Sequence, residues 1–302
     1  MIDSKHKIAI TGGTGMIGTA VRESLERDGH EVAVISRSGK GSSIPWDLEA
    51  GVFDATPLDG FYAVIHLAGE PIAQRWTGEV RERIYASRIG STKLLVDSLS
   101  KLENPPKVLL SASGINYYPS TSMSAGLDET AEAGDDFLSR VCLHWEEEAN
   151  KARAFSARVC LLRTSVVLSP KGGALAKLLP VFKSGVGGRV GSGKQPFPWV
   201  SIADYVRICS HLLFGSSYSG PVNVVAPERA DNRSFTRTLG EALGRPTIFP
   251  VPRAAIRLAF GEMGRSTLLE GVDAIPGVLQ KESFSFSHPD LKSAFADLLG
   301  RG

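Results

Sequence analysis

Apolar positions along this chain fall into two alternating textures. Residues 7–11, Lys-Ile-Ala-Ile-Thr, are a short β-branched run that stops at glycines, and from Ile17 the apolar residues recur at helical spacing through Val21 and Leu25. Gly29-His30 closes that helix, and 31–36 reads as a second strand. The strand texture returns at 62–67, 107–111, 157–163 and 221–225. Between these runs, 79–102 and 135–154 carry the spacing of long helices, the first stopped by Pro105-Pro106. Strands that are apolar almost throughout, alternating with helices, predict an α/β, doubly wound parallel sheet covered on both faces.

From about Ser169 the texture changes to glycine-rich and irregular, with Gly172-Gly173, 185–188 and 191–193. This predicts a nucleotide domain over 1–168, to which a strand at 221–226 returns, and a smaller substrate-side lobe over 169–302. Residues 250–299 read as a separate helical cap with one short aromatic strand, 283–286.

Composition narrows the classes. The 302 residues are 42% hydrophobic and 22% charged, ordinary for a globular chain with a sizeable core. Lys plus Arg (34) nearly balance Asp plus Glu (32), which argues against an electrostatic grip on nucleic acid. Cys142, Cys160 and Cys209 are odd in number and widely spaced, as in a reduced, cytoplasmic protein rather than a disulfide frame or zinc site. His144 and His211 sit in apolar helical settings without metal-ligand spacing, so no metal is expected. The start of the chain leaves no room for a signal peptide, and no apolar run is long enough to span a membrane.

The chemistry begins at Thr11-Gly12-Gly13-Thr14-Gly15-Met16-Ile17-Gly18, a GxxGxxG turn after a strand and at the mouth of a helix. In a Rossmann unit the first glycine permits the tight turn, the second lets backbone approach a pyrophosphate, and the third lets helix and strand pack closely. The helix N-terminus supplies free N–H groups and partial positive charge to the phosphates. The second strand ends at Ser36-Arg37-Ser38, where an NAD-specific protein carries an acidic residue. Arg37 is either a donor fork for a 2′-phosphate, which favours NADP(H), or a solvated surface arginine. Asp47 is either a partner for the adenine amino group or a turn-former. Glu70 and Arg75 follow the third strand at the carboxyl edge, where ligands bind in open sheets. Glu70 is a base candidate or half of a loop-bracing ion pair.

Thr11 to Gly18, then His66-Leu67-Ala68-Gly69, then Leu110-Ser111-Ala112-Ser113 resemble the extended short-chain dehydrogenase/reductases of the NAD-dependent epimerase/dehydratase type. Ala68-Gly69-Glu70-Pro71-Ile72-Ala73, Ser113 to Tyr118, Trp145-Glu146 and Gly187 to Gln195 resemble an atypical branch described as epimerase family protein, whose C-terminal block has no assigned function. The resemblance covers nearly the whole chain. It implies cofactor contacts from the glycine turn, from Leu67, Ala68 and Gly69, and from Ser111. It implies a catalytic serine at Ser113 and an arginine, here Arg189, against the substrate, with Gln195 in the same loop and Trp199 as a flat wall or as core. Asp204 reads as a helix N-cap.

The broader family works with a tyrosine followed four residues later by lysine, stacked on one helix face. Here those places hold Leu138 and Cys142. Tyr117 and Tyr118 remain as candidate acids or bases; the other reading is that one packs and one hydrogen-bonds. Two functions follow. One is an NADP-dependent oxidoreductase or epimerase acting on a small carbonyl or nucleotide-sugar-like substrate. The other is a non-catalytic NADP(H)-binding sensor or partner-binding module. Either is compatible with a monomer or homodimer.

Overall fold

The computed structural model describes residues 5–37, 43–155 and 157–300. Its centre is a seven-stranded sheet in the order β3-β2-β1-β4-β5-β6-β9, with every neighbouring pair parallel. The strands are β1 (Lys7–Thr11), β2 (Glu31–Ser36), β3 (Ile44–Pro45), β4 (Ala63–His66), β5 (Val108–Gly114), β6 (Arg158–Thr164) and β9 (Gly220–Val224). A separate parallel pair joins β7 (Val166–Leu168) to β8 (Trp199–Ser201).

Three helices dress the first half. α1 (Met16–Arg27) starts at Gly15, which offers no side-chain cap, and buries Gly18, Val21 and Leu25. α2 (Gly78–Leu99) is capped by the Thr77 hydroxyl, which accepts from the Val80 N–H. α3 (Phe137–Asn150) is capped by Asp136, which accepts from the Ser139 N–H. Each such cap contributes about 1 kcal/mol and sets where its helix starts. One face of the sheet packs Ile8, Ile10, Ile65 and Leu110 against Val21 and Leu25 of α1. The other packs Val64, Leu109 and Leu161 against Leu95 and Leu99 of α2 and Ala149 of α3.

The second half is more interleaved than its glycine-rich texture suggests. α4 (Gly173–Lys183), α6 (Asn232–Leu243) and α9 (Leu291–Leu298) enclose a second core around Trp199, Phe235 and Phe295. α5 (Ile202–Ser210) and α8 (Gly277–Lys281) instead bury Tyr205, Ile208, Val278 and Leu279 in the main core beneath the sheet. The residues from 250 onward thus contribute to both cores, α8 to the main one and α9 to the second. α7 (Arg253–Gly264) packs Ile256 and Met263 inward and kinks at Gly261, whose φ is 59°.

Two local expectations are corrected. The aromatic alternation at 283–286 forms no strand: Ser283 turns the chain with φ 55°, its N–H and that of Phe284 close α8, and the two phenylalanine rings meet edge to face at 4.9 Å. Asp204 is not the N-cap of α5. Ser201 caps it, and the buried Asp204 carboxylate accepts the N–H groups of Ser287 and His288, tying the C-terminal segment to the helix.

Candidate functional site

The strand order reverses between β1 and β4, and a crevice opens there at the carboxyl ends of the strands, as open α/β sheets require. The glycine turn forms its floor. Gly12, at φ 68°, lies so close to the loop after β4 that a Cβ would stand 2.9 Å from the Leu67 carbonyl carbon. A Cβ on Gly18 would run into the Gly12 carbonyl oxygen, so glycine is what lets α1 close on the turn. With no side chain capping α1, the first N–H groups of the helix are free for a ligand.

Two hollows meet over this floor and share Gly12, Gly15, Leu67 and Pro71. The first, 710 Å³, runs under Gly13 and Thr14 to Ser36 and Arg37 at the end of β2, between Trp46, Leu48 and the Ala68-Gly69-Glu70 segment. The second, 620 Å³, lies over Met16, Ile17 and Gly18. Its walls come from Ile72, Arg88 of α2, Ser113, Cys142 and Trp145 of α3, Thr164, Lys177 of α4 and Tyr205 of α5.

A buried histidine fixes the seam between β1 and β4. His66 Nδ1 lies 2.7 Å from Thr11 Oγ1 and its Nε2 lies 2.9 Å from Thr92 Oγ1. Thr11 Oγ1 also accepts the N–H groups of Leu67 and Ala68. Burial pushes the His66 pKa down to about 3, so the ring is neutral and its two nitrogens serve as one donor and one acceptor.

Behind the second hollow stands a buried polar network. Ser113 Oγ donates to Glu146 Oε1 at 2.7 Å. Arg163 grips the same carboxylate through Nε and Nη2, both at 2.9 Å, and its Nη1 donates to the Tyr118 hydroxyl. Tyr118 in turn donates to Asn223 Oδ1 at 2.8 Å. The Tyr117 ring lies 3.4 Å from the Arg163 guanidinium.

Of the residues expected at a cofactor, Gly12, Gly13, Thr14, Gly15, Met16, Ile17, Gly18, Ser36, Arg37, Leu67, Ala68 and Gly69 line one or both hollows. Ser38 lies outside the described residues. Thr11 and Ser111 are fully buried and line neither hollow; the Thr11 hydroxyl is committed to the His66 seam. Asp47 lines neither hollow, and its Oδ1 accepts the N–H groups of Glu49 and Ala50, which shapes a turn.

The catalytic candidates separate. Ser113 lines the second hollow, whereas Glu70 lines the first, where it accepts from Gln74 and faces Arg83 at 3.9 Å. Tyr117 and Tyr118 line neither. Tyr118 is 1% exposed, and burial pushes its phenol up to about 12, which removes it as a base near neutral pH. Their short loop turns both rings back onto Arg163.

The substrate candidates do not converge on the hollows. Arg75 reaches across to the Leu258 carbonyl. Arg189 Nη1 donates to the Gly191 carbonyl within its own loop, and Gln195 donates to the carbonyls of Val190 and Leu268, which ties that loop to the segment after α7. Trp199 is fully buried core. Glu146, Arg163, Arg88, Lys177 and Tyr205 were missed; the adjacency of Trp145 and Glu146 within a specific segment was the one available signal.

Residues 8–224 match the NAD dependent epimerase/dehydratase family, and residues 251–298 match a domain of unknown function, DUF1731. The chain belongs to the NAD dependent epimerase/dehydratase family. It is 38% identical to epimerase family protein Mb2239 of Mycobacterium bovis over 290 residues, covering 95% of each chain. It is 37% identical to human epimerase family protein SDR39U1, covering 97% of this chain and 99% of that one. A crystal structure of human SDR39U1 with NADPH superposes with a TM-score of 0.89 at 35% identity, covering 98% of this chain and all of that one. No helix among the described residues is long and apolar enough to cross a membrane.

Proposed function

We propose that the chain is an NADP(H)-dependent oxidoreductase or epimerase for a small carbonyl or nucleotide-sugar-like substrate. The observation that carries this is a continuous cleft over the glycine turn with Arg37 at one end and Ser113 at the other. The residues present fit the cofactor. The turn is a cradle that side chains would fill, the α1 N-terminus is uncapped, and no acidic residue closes β2. The N–H groups at the start of α1 would hold the diphosphate, Arg37 and Ser36 the 2′-phosphate, and Trp46 and Leu48 would flank the adenine. The crystal structure of the human relative with NADPH supports this choice of cofactor.

When bound, the nicotinamide supplies or accepts a hydride. Ser113 points its hydrogen at Glu146, which leaves its lone pairs for the cleft, so it receives a hydrogen bond from a substrate hydroxyl. A proton leaving that hydroxyl has a path through Ser113 Oγ to Glu146 Oε1, and the reverse path serves a carbonyl. The two hydrogen bonds from Arg163 hold the carboxylate in line for this. Ile72, Leu138 and Trp145 make the wall beside Ser113 largely apolar.

Calorimetric titration with NADPH and NADH tests the first half; NADPH binds at least about tenfold tighter if Arg37 reads the 2′-phosphate. The NADPH absorbance band and product NMR, followed over a panel of carbonyls and nucleotide sugars, test the second. Ser113→Ala and Glu146→Gln should each slow turnover by about a hundredfold or more. NADPH binding without turnover on any substrate would leave the non-catalytic sensor, the reading that the displaced tyrosines favour.

A further inference from the structure

Charge is spread unevenly over the second half of the chain. Residues 171–203 carry five Lys or Arg and residues 242–261 carry three, and neither stretch holds a carboxylate. The remaining 26 of the 34 Lys and Arg face all 32 Asp and Glu, so two basic stretches interrupt an otherwise acidic chain. The fold seams the two together. Gly188 pairs with Ile248 and Val190 with Val251, while the Gly191 N–H donates to the Val251 carbonyl and the Val251 N–H to that of Arg189. Gly191 carries the seam into α7: a Cβ there would stand 2.8 Å from Cγ of Arg253, the first residue of that helix.

The same surface holds most of the exposed apolar bulk. Of nine large apolar side chains that stand exposed among the described residues, seven lie in 181–186 and 248–268. Ile248 is 72% exposed, Phe249 56% and Leu258 81%, and none of the three lines either hollow of the cleft. α7 turns Ile256 and Met263 inward, which leaves Arg253 and Arg257 in one outward row and Ala254 and Leu258 in the next. Arg245, Arg253, Arg257 and Lys194 are exposed, and none of them is in an ion pair among the described residues. The carboxylate that ends the second basic stretch, Glu262, is taken by Arg81 of α2.

Protruding apolar tips set among unpaired cations suit a partner that is anionic and yields to their shape. A second copy of this chain would bring like charge against like charge in a two-fold contact. A folded protein would need a pocket matched to each tip and a carboxylate matched to each cation. A bilayer rich in anionic lipid meets both demands, with phosphates that move to the cations and acyl chains that close around the tips.

We propose that this face docks peripherally on an anionic phospholipid membrane. Ile248, Phe249 and Leu258 enter the boundary between headgroups and acyl chains, and Arg245, Arg253, Arg257 and Lys194 lie at the phosphates. The contact is made at the surface and needs no spanning helix. Gly173, Ala174 and Lys177 of α4 line the second hollow, and Val181 near the other end of that helix is exposed, so the docked cleft stands within one helix length of the lipid.

The test is co-sedimentation of the full chain with vesicles of phosphatidylcholine alone, or of equal parts phosphatidylcholine and phosphatidylglycerol. The wild type should bind the mixed vesicles at least about tenfold tighter than the neutral ones, and added salt should remove most of that difference. Arg245→Gln with Arg257→Gln should weaken binding to the mixed vesicles about tenfold or more. Ile248→Ser with Leu258→Ser should weaken it by about the same factor. Both variants should keep the wild-type melting temperature; if one pair folds poorly, the other carries the comparison. Wild type that stays in the supernatant with mixed vesicles overturns the proposal, as do folded variants that bind like wild type. A dimer in sedimentation velocity that Leu258→Ser dissolves would give the face to a second copy. Binding to polyglutamate as tight as to the mixed vesicles would give it to an acidic protein, and either result overturns the membrane assignment.

Discussion

The two hollows of the cleft are built by opposite means. The first is mostly backbone: a glycine turn, a helix N-terminus and the loop after β4, stitched by the neutral His66. The second is mostly side chains, and its polar members, Ser113 and Arg88, depend on α2 and α3 lying where they do. Backbone cradles accept few substitutions and therefore hold one ligand type. Side-chain walls can exchange one residue for another, and here α3 presents Leu138 and Cys142 to the second hollow. The cofactor end and the reacting end of one cleft have separate tolerances.

The largest effect expected tests the support behind the second hollow. Glu146→Ala strands the buried Arg163 and should cost about 3–5 kcal/mol of stability by urea denaturation. A loss under about 1 kcal/mol would show that the Ser113 wall does not rest on this pair.

Next comes the seam under the first hollow. His66 has a pKa of about 3 when folded against 6.5 in the unfolded chain, so below 6.5 the unfolded state takes a proton that the native state refuses. Stability attributable to this group is full above about pH 7 and is lost as pH falls toward 3, by about 2 kcal/mol at pH 5. Urea midpoints against pH should show this slope, and His66→Gln should flatten it. An unchanged slope in the variant would assign the titration elsewhere.

A smaller effect separates the cofactors. Arg37→Ala should weaken NADPH about ten- to a hundredfold while NADH affinity stays put, because only NADPH carries the 2′-phosphate. Equal loss of both would make Arg37 a fold residue.

The smallest concerns Tyr118. Tyr118→Phe removes one buried hydroxyl and should cost about 1 kcal/mol with turnover changed only a few fold. A hundredfold fall in kcat without loss of stability would return the phenol to the chemistry.

How much of this was legible follows from the range of each interaction. The strands β1, β4, β5 and β6 and the glycine turn answer to local demands, an apolar run or a φ that only glycine adopts freely, and the sequence shows both. The second half resisted because its helices, α4 through α9, are short and its turns glycine-rich, so periodicity is brief. The aromatic alternation at 283–286 misled because a strand needs an edge to pair with, and none reaches it. Asp204 looked like a cap because caps and buried acceptors draw on the same residue types.

The sequence by itself determined the doubly wound sheet and the glycine cradle at its switch point. Tertiary structure decided the other end. Ser113 meets Glu146 across 33 residues, Tyr118 meets Asn223 across 105, and Arg88 finds Trp145 only because α2 packs on α3. A side chain's role there depends on which partners satisfy it after burial, and those partners come from distant segments that no local pattern records.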